Sequence, residues 1–227
     1  MTSEEFKIIC FKNNIHLTEI AFEKLQQYHN DLIYWNDKVN LISRKDITNL
    51  WERHILHALT IIKYFEIKKN SNCLDIGSGG GIPGIPISIV RPDLSMLLVD
   101  SIEKKIKITE SMADHTANKK LRAVRTRVEE LHFNRKYREQ FDIFISRAVA
   151  PVNQILEWIQ YLLKPHSKII LYKGGNIDEE IKLAKNSFPK LKIKVHPISL
   201  IDCDFFEKDD KKLLICEFKY EEPCYKR

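Results

Sequence analysis

Five of the chain's seven glycines fall within eight residues, Gly77-Ser78-Gly79-Gly80-Gly81-Ile82-Pro83-Gly84. Directly before them runs Cys73-Leu74-Asp75-Ile76, a short β-type run that carries a carboxylate. Glycine reaches positive φ without steric cost and lets a ligand approach bare backbone. A strand, such a loop and the N-terminus of the next helix make a cofactor cradle. The rest of the chain agrees. Strands are expected at 72–76, 95–100, 121–125, 141–146, 167–173, 191–196 and 212–219, with helices at 84–90, 102–117, 152–163 and 178–187. This alternation predicts a parallel α/β sheet with helices on both faces. Ligands in such sheets sit beyond the C-terminal strand ends, so the loops at 77–84, 100–103, 126–130 and 146–151 should carry the chemistry.

Before residue 70 the pattern is helical. Ala21, Leu25, Tyr28, Leu32, Trp35 and Val39 recur every three or four residues, the stripe of an amphipathic helix, with Thr18 placed to cap it. A second stripe holds Ile47, Trp51, Ile55, Ala58, Ile62 and Phe65. The expected organisation is a helical N-terminal extension over 1–70 and a Rossmann-like domain over 71–227. A chain of 227 residues with 44% hydrophobic and 30% charged residues is ordinary globular material. The acidic start has no apolar region behind it, and no uncharged run is long enough to span a bilayer, so a cytoplasmic protein is expected. Five cysteines, at 10, 73, 203, 216 and 224, are odd in number and form no Cys-x-x-Cys pair, so neither a disulfide framework nor a zinc finger is expected.

Two frames fit the glycine loop. Gly79-x-Gly81-x-x-Gly84 matches the dinucleotide fingerprint, but it starts three residues past the expected strand end. Asp75-x-Gly77-x-Gly79-x-Gly81 matches the loop of S-adenosylmethionine-dependent methyltransferases. A carboxylate suits a ligand with a cationic amino group and sulfonium better than it suits a pyrophosphate. Asp100 closes the second expected strand, 23 residues past Gly77, where a carboxylate reaches ribose hydroxyls with either cofactor. No Gly-Lys-Ser/Thr follows, which excludes a P-loop.

The ordered set of motifs resembles one family. Asp75-Ile-Gly-Ser-Gly-Gly-Gly-Ile-Pro-Gly, Arg91-Pro92-Asp93, Asp100-Ser101, Arg127-Val128-Glu129-Glu130, Ser146-Arg147-Ala148 and Lys173-Gly174 are similar to the RsmG (GidB) family, as are Trp35-Asn36, Asn40-Leu41 and Arg53-His54-Ile55-Leu56 upstream. These are bacterial enzymes that methylate guanine N7 in 16S ribosomal RNA. The resemblance implies a class I S-adenosylmethionine-dependent methyltransferase, with a seven-stranded, mostly parallel sheet whose last strand runs antiparallel. It implies that Gly77 and Ile82 hold the cofactor's methionyl and ribose parts, that Val128 and Glu129 border the adenine, and that Arg147 faces the methyl-transfer site. The implied partner is 16S rRNA or the small ribosomal subunit, with a monomeric enzyme expected. Two residues depart from the family pattern. His57 stands where an aspartate is usual, and Val149 where an aromatic is.

Guanine N7 attacks with an in-plane lone pair, so no proton leaves first and no general base is needed. Presenting and aligning the base suffices. Arg147 suits a carboxylate, a phosphate or guanine O6 as partner. Residues 119–138 carry eight basic residues against Glu129 and Glu130, a surface suited to RNA backbone. Arg127, Lys173 and Arg53 are the RNA-contact candidates. Arg53, His54 and His57 share a helix face, but no third metal ligand is evident. Pro223-Cys224, the only Pro-Cys, reads as incidental to cytosine methylation. The competing readings are a nicotinamide-dependent oxidoreductase, which lacks a placed catalytic acid, a non-catalytic RNA-binding module, and a methyltransferase acting on a small molecule.

Overall fold

The computed structural model describes residues 1–43 and 46–219; Cys224 lies outside them. Seven strands, β1 (Asn72–Ile76), β2 (Ser95–Asp100), β3 (Leu121–Arg125), β4 (Phe141–Arg147), β5 (Leu163–Gly174), β6 (Leu191–Pro197) and β7 (Lys211–Phe218), form one sheet in the order β3-β2-β1-β4-β5-β7-β6. β7 runs antiparallel to both of its neighbours, and the other pairings are parallel. Chain order reverses between β1 and β4, which opens a crevice at their C-terminal ends.

Successive strand residues point to opposite faces. Cys73, Met96, Leu98, Ile143 and Ile145 enter the core shared with the N-terminal helices, whereas Leu74, Ile76, Val99 and Phe144 enter the second core on the other face. The first core is covered by α1 (Ser3–Lys12), α2 (Glu19–Asn36), α3 (His57–Tyr64), α4 (Gly84–Val90) and α5 (Glu103–His115). The second is covered by α6 (Val152–Ile159) and α7 (Asp178–Ser187). A single turn, α8 (Phe205–Lys208), precedes β7.

Three local differences from the sequence reading have physical causes. Helix α1 carries a signal that reading passed over: Thr2 accepts from Glu5 N while Glu5 accepts from Thr2 N, a full capping box. The stripe expected as one helix over 47–65 is a 3₁₀ turn at Ile47–Asn49, a π-helical segment at Trp51–Leu56 and then α3. The wider π turn keeps Trp51, His54, Ile55 and Leu56 buried together, and such segments often mark functional positions. Two 3₁₀ turns, Val128–Phe133 and Arg135–Tyr137, occupy a stretch expected as loop.

The extension is fastened to the glycine loop. Tyr28, 2% exposed, donates from its hydroxyl to the carbonyl of Gly80 at 2.7 Å. Leu32 and Leu41 pack against the same glycine. Removing that donor leaves a buried carbonyl unpaired, a loss of about 1–3 kcal/mol. Tyr28→Phe is therefore expected to lower the unfolding free energy by that amount in urea denaturation, with the circular dichroism of the native state unchanged.

Candidate active site

The glycine loop is held from all sides. Ser78 N donates to Val99 O at 3.0 Å, Gly79 O accepts from the Thr109 hydroxyl at 2.7 Å, and Gly81 N donates to Ser78 O at 2.7 Å. Gly77, Gly79 and Gly81 all have positive φ, at 67°, 56° and 88°. A Cβ on Gly77 would stand 2.5 Å from Val149 Cγ2, so side-chain atoms are excluded there by backbone angle and by space.

Two clefts flank this loop at the strand ends. The first, about 280 Å³, is lined by Gly77, Asp100, Lys105, Arg127, Val128, Glu129, Val149 and Trp158. Here the structure brings together most of the residues expected to hold a nucleoside. The carboxylate of Asp100 is positioned by two amides: Gly79 N donates to Oδ2 at 3.0 Å and Ile102 N to Oδ1 at 2.9 Å. Gly79 thus braces Asp100 and does not itself line the cleft. Arg127 lies 3.7 Å from Glu129, an exposed pair. Lys105 and Trp158 join this cleft without any motif that could have announced them.

The second cleft, about 360 Å³, lies on the other side of Ala148, which lines both. It brings together Arg147, Arg53 and Lys173 with His54, His57, Asp46, Tyr172 and Lys211. Arg147 ends β4, and the N-terminal extension grips it. Its Nη1 donates to Arg53 O at 3.0 Å and lies 3.5 Å from His57 Nδ1, and its Nη2 donates to His54 Nδ1 at 2.6 Å. A guanidinium can only donate, so His54 accepts at Nδ1 and carries its proton at Nε2, and both imidazoles are neutral. Burial, reinforced by the charge of Arg147, pushes His54 down to about 3 and His57 well below its ordinary value. Burial also lowers the pKa of Arg147. No described carboxylate is ion-paired to Arg147; its side-chain partners are the two imidazoles. Lys173, expected at an RNA-facing rim, is instead held by Ala150 O at 2.8 Å and by the Glu180 carboxylate.

Besides Gly79, two expected cofactor residues line neither cleft. Ile82 is 5% exposed and belongs to the first apolar core. Asp75 was expected beside a cationic ligand, but it is wholly buried under the loop, where its Oδ2 accepts from Gly84 N at 2.9 Å. Its position on β1 points it toward the start of α4 and away from solvent. Burial raises its pKa to about 7, against the opposing pull of the Gly84 amide and of Arg147.

The basic stretch divides. Arg125 pairs with Glu103 at 3.1 Å, while Lys119, Lys120, Arg122 and Lys136 line a separate cleft with Leu97, Val124 and Tyr137. That cleft lies near the opposite strand ends, about 17 Å away along β2. No group of three or more described His, Cys, Asp or Glu side chains could hold a metal ion. No helix among the described residues is long and apolar enough to cross a membrane.

Comparison with known proteins agrees with this geometry. The family model described as "rRNA small subunit methyltransferase G" matches residues 21–204. Ribosomal RNA small subunit methyltransferase G of Chlorobium phaeobacteroides is 40% identical over 210 residues, covering 90% of this chain and 92% of that one. The protein of the same name from Christiangramia forsetii is 36% identical over 209 residues, covering 88% and 90%. Among solved structures, YcgJ of Bacillus subtilis superposes with a TM-score of 0.56 at 15% identity, over 74% of this chain and all of that one. Aeropyrum pernix fibrillarin with bound S-adenosyl-L-methionine superposes with a TM-score of 0.52 at 14% identity, over 73% and 75%. These distant structures share the fold.

The buried carboxyl group makes stability depend on pH. A folded-state pKa near 7 lies above the ordinary 3.8, so between those values the folded chain keeps a proton that the unfolded chain has released. The group's contribution is full below about pH 4 and is lost as pH rises through 7, at up to about 1.4 kcal/mol per pH unit. Asp75→Asn keeps an oxygen for Gly84 N and cannot ionise. In urea unfolding the variant is expected to gain on the wild type from pH 5 to about pH 7 and to level off above it; a constant difference from pH 5 to pH 7 would contradict the assignment.

Proposed function

The chain belongs to the rRNA small subunit methyltransferase G family, and from that premise we propose that it methylates N7 of a guanine in 16S rRNA of the small ribosomal subunit, using S-adenosylmethionine. The observation that carries the reading is the pair of adjoining clefts with the ends of β1, β2 and β4 beneath them. One is shaped for a nucleoside, and the other is wide enough for a base and carries a buried cation. A small-subunit ribosomal RNA substrate places its work in the cytoplasm, where ribosomes are assembled.

The residues of the first cleft fit the cofactor. Gly77 lines the cleft with bare backbone at positive φ, and the Asp100 carboxylate is fixed by two amides before any ligand arrives. Asp100 would hold the ribose hydroxyls, Val128 and Glu129 would border the adenine, and Gly77 would admit the chain leading to the second cleft. When bound, S-adenosylmethionine supplies a methyl group made electrophilic by its sulfonium.

The work of this chain's own residues is positional and electrostatic. A guanine N7 lone pair needs no base to free it, and the two histidines of the second cleft are neutral and packed against Arg147. The guanidinium lines the second cleft, with Ala148, which lines both clefts, next to it in the chain, and Arg53 O and the two imidazoles hold its orientation. From there it can hold the methionyl carboxylate or the acceptor nucleotide. It must not donate to N7, whose lone pair has to remain free. Val149, set against Gly77 between the clefts, excludes water from the line of transfer.

The test is methyl transfer from labelled S-adenosylmethionine to small subunits lacking their own 7-methylguanosine, followed by nucleoside analysis of the RNA. Label in 7-methylguanosine is the expected result, and label in another nucleoside would overturn the acceptor assignment. Asp100→Asn is expected to weaken cofactor binding in calorimetry by about tenfold or more, since one charge-assisted bond is worth about 1.5–3 kcal/mol. Arg147→Ala is expected to reduce kcat by about 100-fold or more, on the scale of removing one oriented electrostatic group.

A further inference from the structure

The second cleft holds an acidic residue that the cofactor does not need. Asp46 lies in the connection between α2 and the π-helical segment, with its side chain 29% exposed and lining the cleft. Its Oδ1 accepts from Arg53 Nη1 at 3.0 Å. Its Oδ2 stops 4.0 Å from His54 Nε2, beyond hydrogen-bond reach, and that nitrogen is buried with no partner. The carboxylate is therefore anchored on one oxygen and uncommitted toward its buried neighbour.

The groups follow one another in a definite order. Ala148 lines both clefts, Arg147 adjoins it in the chain, His54 touches Arg147 at 2.6 Å, and Asp46 lies beyond His54. A guanine presents its polar atoms in a matching order. N7 is followed by O6, an acceptor, and then by N1–H and the 2-amino group, both donors. With N7 at the Ala148 end, O6 falls beside Arg147. Three of the five guanidinium hydrogens are engaged with Arg53, His54 and His57, which leaves two for a ligand. N1–H and the 2-amino group then fall beside the carboxylate. Phe205, in the same cleft, supplies an aromatic surface for the ring. Adenine in this orientation would set an amino group against Arg147 and a lone pair against Asp46, and both contacts repel. Bases taken out of a stack are commonly read in this way, by hydrogen bonds to the Watson–Crick edge and by stacking.

The geometry points to Asp46 as the residue that selects guanine, by accepting hydrogens from N1 and the 2-amino group of the acceptor base. Asp209 also lines the cleft, but it lies 3.4 Å from Lys211 and has no contact with the chain of groups leading from Ala148. The inference rests on the guanine-N7 reading above and adds how the base is recognised.

The experiment compares small subunits carrying guanosine or inosine at the position that the wild-type enzyme labels; inosine lacks only the 2-amino group. No 7-methylguanosine from the wild type on guanosine subunits would defeat the underlying reading. Given that product, inosine is expected to lower wild-type kcat/KM about tenfold, within the 1–3 kcal/mol of a good base contact. Asp46→Asn is expected to lower kcat/KM on guanosine by about 10- to 100-fold on the same scale. Its affinity for S-adenosylmethionine in calorimetry should stay unchanged, and its inosine penalty should shrink to less than about threefold as the shared contact is lost. Asp46→Glu keeps the acceptor and should keep the inosine penalty. No inosine penalty in the wild type, equal penalties in wild type and Asp46→Asn, or a parallel loss of cofactor affinity would each overturn the role of Asp46.

Discussion

Beneath the glycine loop, one hydrogen bond joins the first strand to the first helix of the sheet domain: Gly84 N donates to the carboxyl group of Asp75. The loop can be as open as it is because both of its ends are fixed. Ser78 takes the upstream end to Val99, and Asp75 takes the downstream end to the start of α4. A Cβ on Gly84 would come within 2.8 Å of Asp75 Oδ2, so the close approach requires glycine. Everything at the strand ends depends on this arrangement, since Gly79 in turn orients Asp100, and Gly80 receives Tyr28 from the N-terminal extension. A carboxyl group held near pH 7 by burial is the electrostatic consequence of placing an acid there.

The second constraint is a buried cation with neutral partners. Arginine is costly to bury without a counter-ion. Here the cost is met with a carbonyl and two imidazoles, which satisfy hydrogens but leave the charge in place. A carboxylate at position 57 would cancel that charge; His57 does not. The cleft therefore keeps a positive field where an anionic or carbonyl group of a ligand has to be oriented. The extension supplies all three partners, which gives the helical segment before the sheet a direct part in the site.

Much of the fold was legible in sequence. Strand positions follow from short β-branched and aliphatic runs, buried on both faces in the central strands, and six of the seven expected strands agree with the structure to within a residue or so at each end. The exception is β5, which begins at Leu163 and not at residue 167, because α6 ends at Ile159, short of the helix expected to 163, and only a turn over 160–162 separates it from the strand. The lining of the first cleft was legible too: Gly77, Asp100, Val128 and Glu129 lie at or just past strand ends, and the ends of adjacent parallel strands must be neighbours. Asp75 was not legible, since a period-two pattern says which side of the sheet a residue faces but not whether a loop will close over it.

The order of elements, the glycine loop and the carboxylate after β2 were determined by the sequence alone, because each depends on local conformational preference and on spacing along the chain. The second cleft was decided only by tertiary structure. Asp46, His54 and His57 are separated from Arg147 by about ninety residues or more and meet it only when the extension packs on the sheet. No periodicity encodes that meeting. A π-helical segment turns the carbonyl of Arg53 and the imidazole of His54 toward the end of β4, and His57 follows at the start of α3. Burial then sets their protonation, and burial is a property of the assembled core that no single stretch of the chain contains.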